Sequence, residues 1–240
     1  MKNIYLLCFA LFQPALELTV NSAAVVAPFV SGSGSTGSPD PVLFPVRYQQ
    51  VYQAGDFLSA MPQGGRIVQL AFRIEETLPN ETEGNISRIQ IDLSTTQRGV
   101  NSLSPVFAEN IGPDDTTVFG PSSIYLSGRR GQFDFVFQFT TPFVYDPRAG
   151  NLLMDVRNYS GAIIPMFRSP PAVDAVEGGT SSRIFNPDVN ASTANFVDSI
   201  GAITQFTFTP VPEPSGALLA TIALACWLTR IFWKRRGREI

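Results

Sequence analysis

The chain has no histidine, and its two cysteines, Cys8 and Cys226, lie close to its ends, as do its two lysines, Lys2 and Lys234. Between residues 28 and 211 there is no imidazole, thiol or amine side chain. That excludes Ser-His-Asp and Cys-His nucleophiles, Ser-Lys dyads and Schiff bases from the interior of the chain. It also denies a catalytic zinc its usual ligands. No disulfide can form there, so this stretch of about 180 residues, enough for one domain, must be held by its packing. Its cations are eleven arginines against seventeen carboxylates, a net charge of −6. A mildly acidic, lysine-free surface argues against nucleic acid and anionic membrane surfaces as partners. A helical stripe is lacking as well, outside the two termini.

What is present is a period of two. Val68, Leu70, Phe72 and Ile74 alternate with Gln69, Ala71 and Arg73, and Ile89, Ile91 and Leu93 with Gln90 and Asp92. Phe133, Phe135, Phe137 and Phe139 alternate with Asp134, Val136 and Gln138; Leu152, Met154 and Val156 with Leu153, Asp155 and Arg157; and Phe206 and Phe208 with threonines. Each is the signature of a half-buried strand. Turn clusters separate them at 63–65, 79–84, 112–115, 128–131, 146–150 and 178–179. Weaker segments at 46–52, 122–126, 163–167 and 183–185 bring the expectation to about nine strands. The predicted fold is all-β, an antiparallel β-sandwich, jelly-roll-like, because two facing sheets bury the Phe-rich faces and leave the polar faces wet.

The residue inventory leaves few chemistries. Carboxylate catalysis of the glycosidase kind survives and needs two acids across a cleft. Asp134 and Asp155 lie on predicted strands and read as solvent-facing partners of Arg157 or its neighbours. Asp114-Asp115 and Asn186-Pro187-Asp188-Val189-Asn190 offer oxygens, but without the spacing of a calcium loop, and read as turns capped by their own side chains. No metal site and no cofactor is expected. Gly32, Gly34 and Gly37 match a dinucleotide fingerprint by letter, yet no strand precedes them and Pro39 and Pro41 follow where a helix should begin. The four alternating phenylalanines read as core and not as a platform for sugar rings. Tyrosines suit sugar better, having a flat apolar face and a hydroxyl, so Tyr48, Tyr52, Tyr125, Tyr145 and Tyr159 are considered, with Tyr145 and Tyr159 as the candidate carbohydrate contacts. Around Tyr145, the run from Thr141 to Pro147 followed by Asn151-Leu152-Leu153 resembles β-sandwich domains of secreted and surface proteins. Asn-x-Ser/Thr sites at Asn80, Asn85, Asn158 and Asn190 would be incidental in a bacterial protein and would mark surface loops only where a glycosylating transferase acts.

The two ends speak of destination. Lys2 and Asn3 precede nine apolar residues at 4–12, and small residues follow at Ser22, Ala23, Ala24 and Ala27, as in a secretory signal peptide cut after Ala24 or Ala27. Cys8 lies inside the apolar run and not after a lipobox. Residues 28–41, rich in Gly, Ser and Pro, have the composition of a flexible leader. Near the C-terminus no charge occurs from Ser215 to Thr229, roughly 22 Å of helix; continuing past Arg230 to Trp233 gives roughly 28 Å, close to the hydrocarbon thickness of about 30 Å if Arg230 snorkels. Trp227 and Trp233 suit the interface, and the cations after Trp233 would hold the C-terminus inside. Hydropathy alone fits an ordinary anchor as well as a processed tail.

The residues before that helix separate the two. Pro212 and Pro214 keep the flanking chain extended, so Glu213 is presented on a strand-like peptide. Val-Pro-Glu-Pro-Ser at 211–215, an apolar helix at 216–233 and an Arg-rich end together resemble the PEP-CTERM sorting signal of bacterial envelope proteins. The resemblance covers 211–238 and implies recognition by exosortase, a membrane protease of bacteria that secrete exopolysaccharide. It implies Pro212, Glu213 and Pro214 as the recognition triplet and Arg235 and Arg236 as the membrane stop; Arg230, inside the apolar run, departs from the pattern.

The expected organisation is a signal peptide (1–27), a leader (28–41), an exterior β-sandwich (42–209) and a sorting signal with one transmembrane helix (210–240). The expected function is that of an exported, non-enzymatic envelope or extracellular-matrix protein, structural or adhesive and associated with exopolysaccharide. A carbohydrate-binding module is the alternative, and a carboxylate glycosidase the third reading. The exterior domain is expected outside the cytoplasmic membrane, then at the cell surface or in the matrix after processing.

Overall fold

The computed structural model describes residues 22–29, 41–76, 81–160, 162–163, 172–210 and 227. The apolar run at 4–12 of the expected signal peptide, residues 30–40 of the expected leader, and the tail with Pro212, Glu213, Pro214, Arg235, Arg236 and, Trp227 apart, the helix expected at 216–233 lie outside the described residues. Among the described residues no helix is long and apolar enough to cross a membrane.

The chain is mostly antiparallel β-sheet. In order the strands are β1 (Ala23–Ala27), β2 (Val46–Tyr52), β3 (Gly65–Phe72), β4 (Glu81–Thr96), β5 (Thr116–Arg129), β6 (Phe135–Tyr145), β7 (Asn151–Asn158), β8 (Ala162–Ile163), β9 (Ala175–Glu177), β10 (Ser181–Asn186), β11 (Phe196–Asp198), β12 (Ile200–Ala202) and β13 (Thr204–Pro210). They form a four-stranded sheet ordered β1-β13-β3-β6, a seven-stranded sheet ordered β11-β10-β2-β7-β4-β5 with β8 on β4, and a small pair, β12-β9. About nine strands were expected, against thirteen among the described residues; β8 overlaps the segment expected at 163–167, while the additional β1, β9, β11 and β12 span five residues or fewer and are too short for alternation to reveal. A short α-helix, α1 (Gly55–Leu58), is a single turn that drives Phe57 into the core.

One hydrophobic cluster draws on both large sheets: Ile67, Leu70, Phe72, Phe135, Phe137, Phe206 and Phe208 from one, Tyr48, Tyr52, Ile89, Ile91, Leu93, Met154 and Val156 from the other. Rings meet across the divide, Tyr52 against Phe206 edge-on at 5.1 Å and Phe119 against Phe137 at 5.4 Å. The phenylalanine alternation holds from Phe135: Phe135, Phe137 and Phe139 are buried, while Val136 and Gln138 face outward, and Phe133 is half-buried before the strand begins.

Several sequence expectations are corrected. Val68 was expected on the core face with Leu70 and Phe72; a bulge between Ile67 and Gln69 shifts the phase, so Ile67 is buried and Val68 only half so. The turn expected at 79–84 gives way to strand from Glu81, where Thr82 and Ile86 turn inward and Glu81, Glu83 and Asn85 outward. Pro121 sits inside β5, tolerated because Gly120, at φ +74°, forms a bulge opposite Ile89 where a Cβ would lie 2.1 Å from the Ile89 carbonyl oxygen. The folded unit also takes in β1, within the stretch assigned to the signal peptide. Asn158 is buried, so that sequon marks no surface loop.

Candidate functional site

Because strand side chains alternate, the residues that β2, β4 and β7 do not send into the core all emerge on the outer face of the seven-stranded sheet. The register sorts them into rows. One runs Ile184, Gln49, Asp155, Asp92, Thr117 across β10, β2, β7, β4 and β5. The next runs Asn186, Arg47, Arg157, Gln90, and on the other side lies Ser182, Val51, Leu153, Ser94. A row with two acids at its centre thus lies between a row with two arginines and a row with Val51 and Leu153 flanked by serines.

The nineteen residues between Thr96 and Thr116 strap across this face. Leu103 and Phe107 of the strap pack on Val51, Leu153 and Ile184, forming a second, smaller apolar cluster. Gly112 lets the strap approach β4, since a Cβ there would lie 1.8 Å from the Thr95 carbonyl oxygen. Beneath the strap, Asp155 Oδ2 accepts from Arg47 Nη2 at 2.9 Å and Gln49 Nε2 at 2.8 Å. Gln49 Nε2 also donates to the Phe107 carbonyl, and Asn110 Nδ2 donates to Gln49 Oε1. The Arg47 guanidinium lies 4.8 Å from the Phe107 ring centroid.

Asp92 stands directly opposite Asp155, which puts their Cβ atoms about 5 Å apart. It accepts from Gln90 Nε2 and, at 2.6 Å, from Thr117 Oγ1. Burial raises the Asp155 pKa and Asp92 adds to the rise; Arg47, Gln49 and Arg157 oppose it. Asp115, at the end of the strap, is pushed up to about 6, first by desolvation and then by Asp92, Asp155 and Asp114, with Arg157 opposing. Oδ1 of Asp155 and Nε of Arg47 and Arg157 are buried without a hydrogen-bond partner among the described residues.

Two paired carboxylates at this separation are the raw material of acid–base chemistry on a glycosidic bond. Here, however, the strap roofs Asp155, and Asp92 is held by Gln90 and Thr117. The expectation of Asp155 as a solvent-facing partner of Arg157 is corrected: it is buried, and its ion-pair partner is Arg47. Asp134 is elsewhere, half-buried, accepting from the Arg129 backbone N–H at 3.0 Å. The Asn186 segment is a run of side-chain-capped turns, as expected: Asn186 Oδ1 accepts from the Asp188 N–H and Asp188 Oδ1 from the Asn190 N–H, both at 2.9 Å. No three acid, histidine or cysteine side chains group to hold a metal among the described residues.

The tyrosines divide. Tyr145 is corrected from a candidate sugar contact to a core residue: its ring is wholly buried, edge-on to Phe57 at 5.3 Å, and its hydroxyl donates to the Gly150 carbonyl at 2.9 Å. Burial raises its pKa. Tyr48 and Tyr52 are buried too, hydrogen-bonded to Gln50 and Thr204. Tyr159 is half-buried just beyond β7, beside the row of bases, with the Arg88 guanidinium 4.3 Å from its ring centroid. Tyr125 is 60% exposed, its hydroxyl bonded to Glu83. It stands at the end of the β4–β5 ribbon, where Glu81, Glu83, Ser127, Arg129 and Asp134 line a cleft of about 420 Å³. The strap could have been suspected in the sequence from Leu103, Phe107 and Ile111, apolar residues in a long stretch with no strand signal.

Comparison with protein-family models, curated proteins and solved structures finds no match to this chain.

Proposed function

We propose that the chain is an exported, non-enzymatic component of the cell envelope or extracellular matrix, structural or adhesive and associated with exopolysaccharide. The observation that carries this reading is the order of Val-Pro-Glu-Pro-Ser, apolar run and Arg-rich end at 211–238, which resembles the PEP-CTERM signal that exosortase handles. The domain itself suits a scaffold without disulfides: two antiparallel sheets share one core, and an inner pairing of β4 with β7 nests inside an outer pairing of β2 with β10. That nesting supports the finer description of a jelly-roll-like sandwich. The acids that the large sheet brings together are engaged with Arg47, Gln49, Gln90 and Thr117, which speaks against the glycosidase reading.

Intact-mass analysis of the protein exported by its native host tests the reading. The expected product is shorter by roughly the thirty residues of the tail. Replacing Pro212, Glu213 and Pro214 by alanine should leave it uncleaved in the cytoplasmic membrane. A mature exported pool ending at Ile240 refutes the sorting reading and leaves 216–233 as a plain anchor.

A carbohydrate-binding reading is favoured by one specific feature, the cleft on the β4–β5 ribbon. Its acids, serine and arginine match the hydroxyls of a glycan, and the exposed Tyr125 ring stands beside them. Glycan-array binding that Tyr125→Ala abolishes would support it; an empty array would remove it.

A further inference from the structure

We infer that the signal peptide is cut between Ala24 and Val25, and that residues 25–27 remain as a structural edge strand of the mature protein. The inference rests on the export reading above and adds the position of the cut. Both Ala24 and Ala27 present the small residue that a leader peptidase needs before the scissile bond. The fold distinguishes them.

β1 lies antiparallel on β13, Ala23 opposite Phe208, Val25 opposite Phe206 and Ala27 opposite Thr204. Along it the exposure changes in step with the proposed cut. Ala23 and Ala24 are exposed, Val25 and Val26 are half-buried, and Ala27 is wholly buried in the core. Val25 packs against the same core. The strand's end is tied down as well: the Phe29 N–H donates to Thr180 Oγ1 at 3.3 Å, and that hydroxyl donates to Asp56. A cut after Ala27 discards every one of the strand's pairings and bares the outer edge of β13, a row of unsatisfied backbone groups open to pairing with other chains. A cut after Ala24 discards two exposed alanines and keeps three paired residues. The bond after Ala27 also leads into Pro28, whose nitrogen has no hydrogen with which a protease could hold the departing chain.

The order of synthesis makes the cut accessible. Among the described residues β1 pairs only with β13, the last strand described. In N-to-C export, residues 23–27 have no strand partner among the described residues until residues 204–208 have crossed, so the scissile bond is not held in a sheet while the leader is still in the membrane. Docking on β13 follows the cut.

N-terminal sequencing and intact mass of the exported protein, expressed as the full chain, test this. The expected mature N-terminus is Val25. A start at Pro28, or an exported pool that still starts at Met1, overturns the inference and leaves export intact, whereas protein found only in the cytoplasm and still starting at Met1 overturns the export reading itself. Two substitutions give an answer that does not depend on folding: Ala24→Arg is expected to abolish the cut before Val25, and Ala27→Arg to leave it in place. The reverse pattern overturns the inference. Removing residues 25–27 so that the mature chain starts at Pro28 is expected to lower the denaturant midpoint, and an unchanged midpoint counts against a structural β1.

Discussion

Replacing Phe137 by alanine tests the two-sheet core at its centre. The ring is fully buried and meets Phe72 edge-on at 5.8 Å and Phe119 at 5.4 Å, so it touches both sheets. A Phe→Ala change at such a site costs about 3–5 kcal/mol, the lost transfer free energy plus the cavity left between two packed sheets. Two edge-to-face pairs worth roughly 0.5–1.5 kcal/mol each put the expectation towards the upper end. With no disulfide to limit unfolding, and a total stability of about 5–15 kcal/mol for a domain of this kind, the loss is roughly a fifth of the whole or more. At roughly 2–4 °C per kcal/mol for a domain of this size, the melting temperature should fall by about 6–20 °C. Both tryptophans, Trp227 and Trp233, lie in the tail, so a processed chain has none and unfolding is best followed by far-UV circular dichroism. The neighbouring Val136, 37% exposed on the opposite face of β6, is the control: Val136→Ala should cost under about 1 kcal/mol. A loss at Phe137 below about 1 kcal/mol, or a larger loss at Val136, refutes the register of β6.

Three further outcomes follow from the strapped face. Asp115 has a folded-state pKa raised from 3.8 to about 6, so it binds a proton more tightly folded than unfolded, and its contribution to stability falls as pH rises between those values. Asp115→Asn should therefore stabilise the protein at pH 7.5, with the advantage shrinking below pH 6 and gone below about pH 4; denaturant midpoints across that range check it, and a pH-independent gap contradicts it. Asp155→Ala should cost about 3–5 kcal/mol in urea unfolding, because it leaves the buried Arg47 charge uncompensated, while Arg47→Met combined with Asp155→Leu should recover most of the loss; equal losses in both would show that the pair itself is not the source. Gly112→Ala forces its Cβ into the Thr95 carbonyl and should lift the strap at a cost of about 1–3 kcal/mol, seen as faster amide exchange of residues 103–110; unchanged exchange would show that the close approach is not what seats the strap.

Alternation made the inner faces of the long strands legible, because period two depends only on which side of a sheet is dry. It placed Phe135, Phe137, Ile89, Ile91, Leu93, Met154 and Val156 in the core, where they are. It failed where a local irregularity changes the phase, as at the bulge that turns Ile67 in and Val68 sideways, and where a strand is too short to alternate, as with β1 and β11. Tyr145 was misread for a different reason: tyrosine is amphipathic, and nothing in the local sequence tells whether its hydroxyl meets solvent or, as here, the Gly150 carbonyl.

The outer face of the large sheet was misread because a sequence shows which residues share a face but not what lies over it. Asp92 and Asp155 alternate with buried residues as solvent-facing acids do, and without the strap they would be solvent-facing. The covering depends on contacts between Phe107 and residues more than forty positions away, such as Leu153 and Val51, which no local window includes. Once the strap is in place, each acid has to find a partner, since an unpaired buried carboxylate is costly. The register supplies them: Gln49 lies beside Asp155 in the same row, Arg47 in the next, and Thr117 beside Asp92. The rows of unlike polarity on β2, β4 and β7 thus have meaning only together with the strap, whose apolar residues cover the Val51–Leu153 row and leave Asp115 and Thr117 exposed at its far end. A ligand approaching this face would meet those two residues first. The raised pKa of Asp115 comes first from its partial desolvation there, and the acids Asp92 and Asp155 beneath add to it.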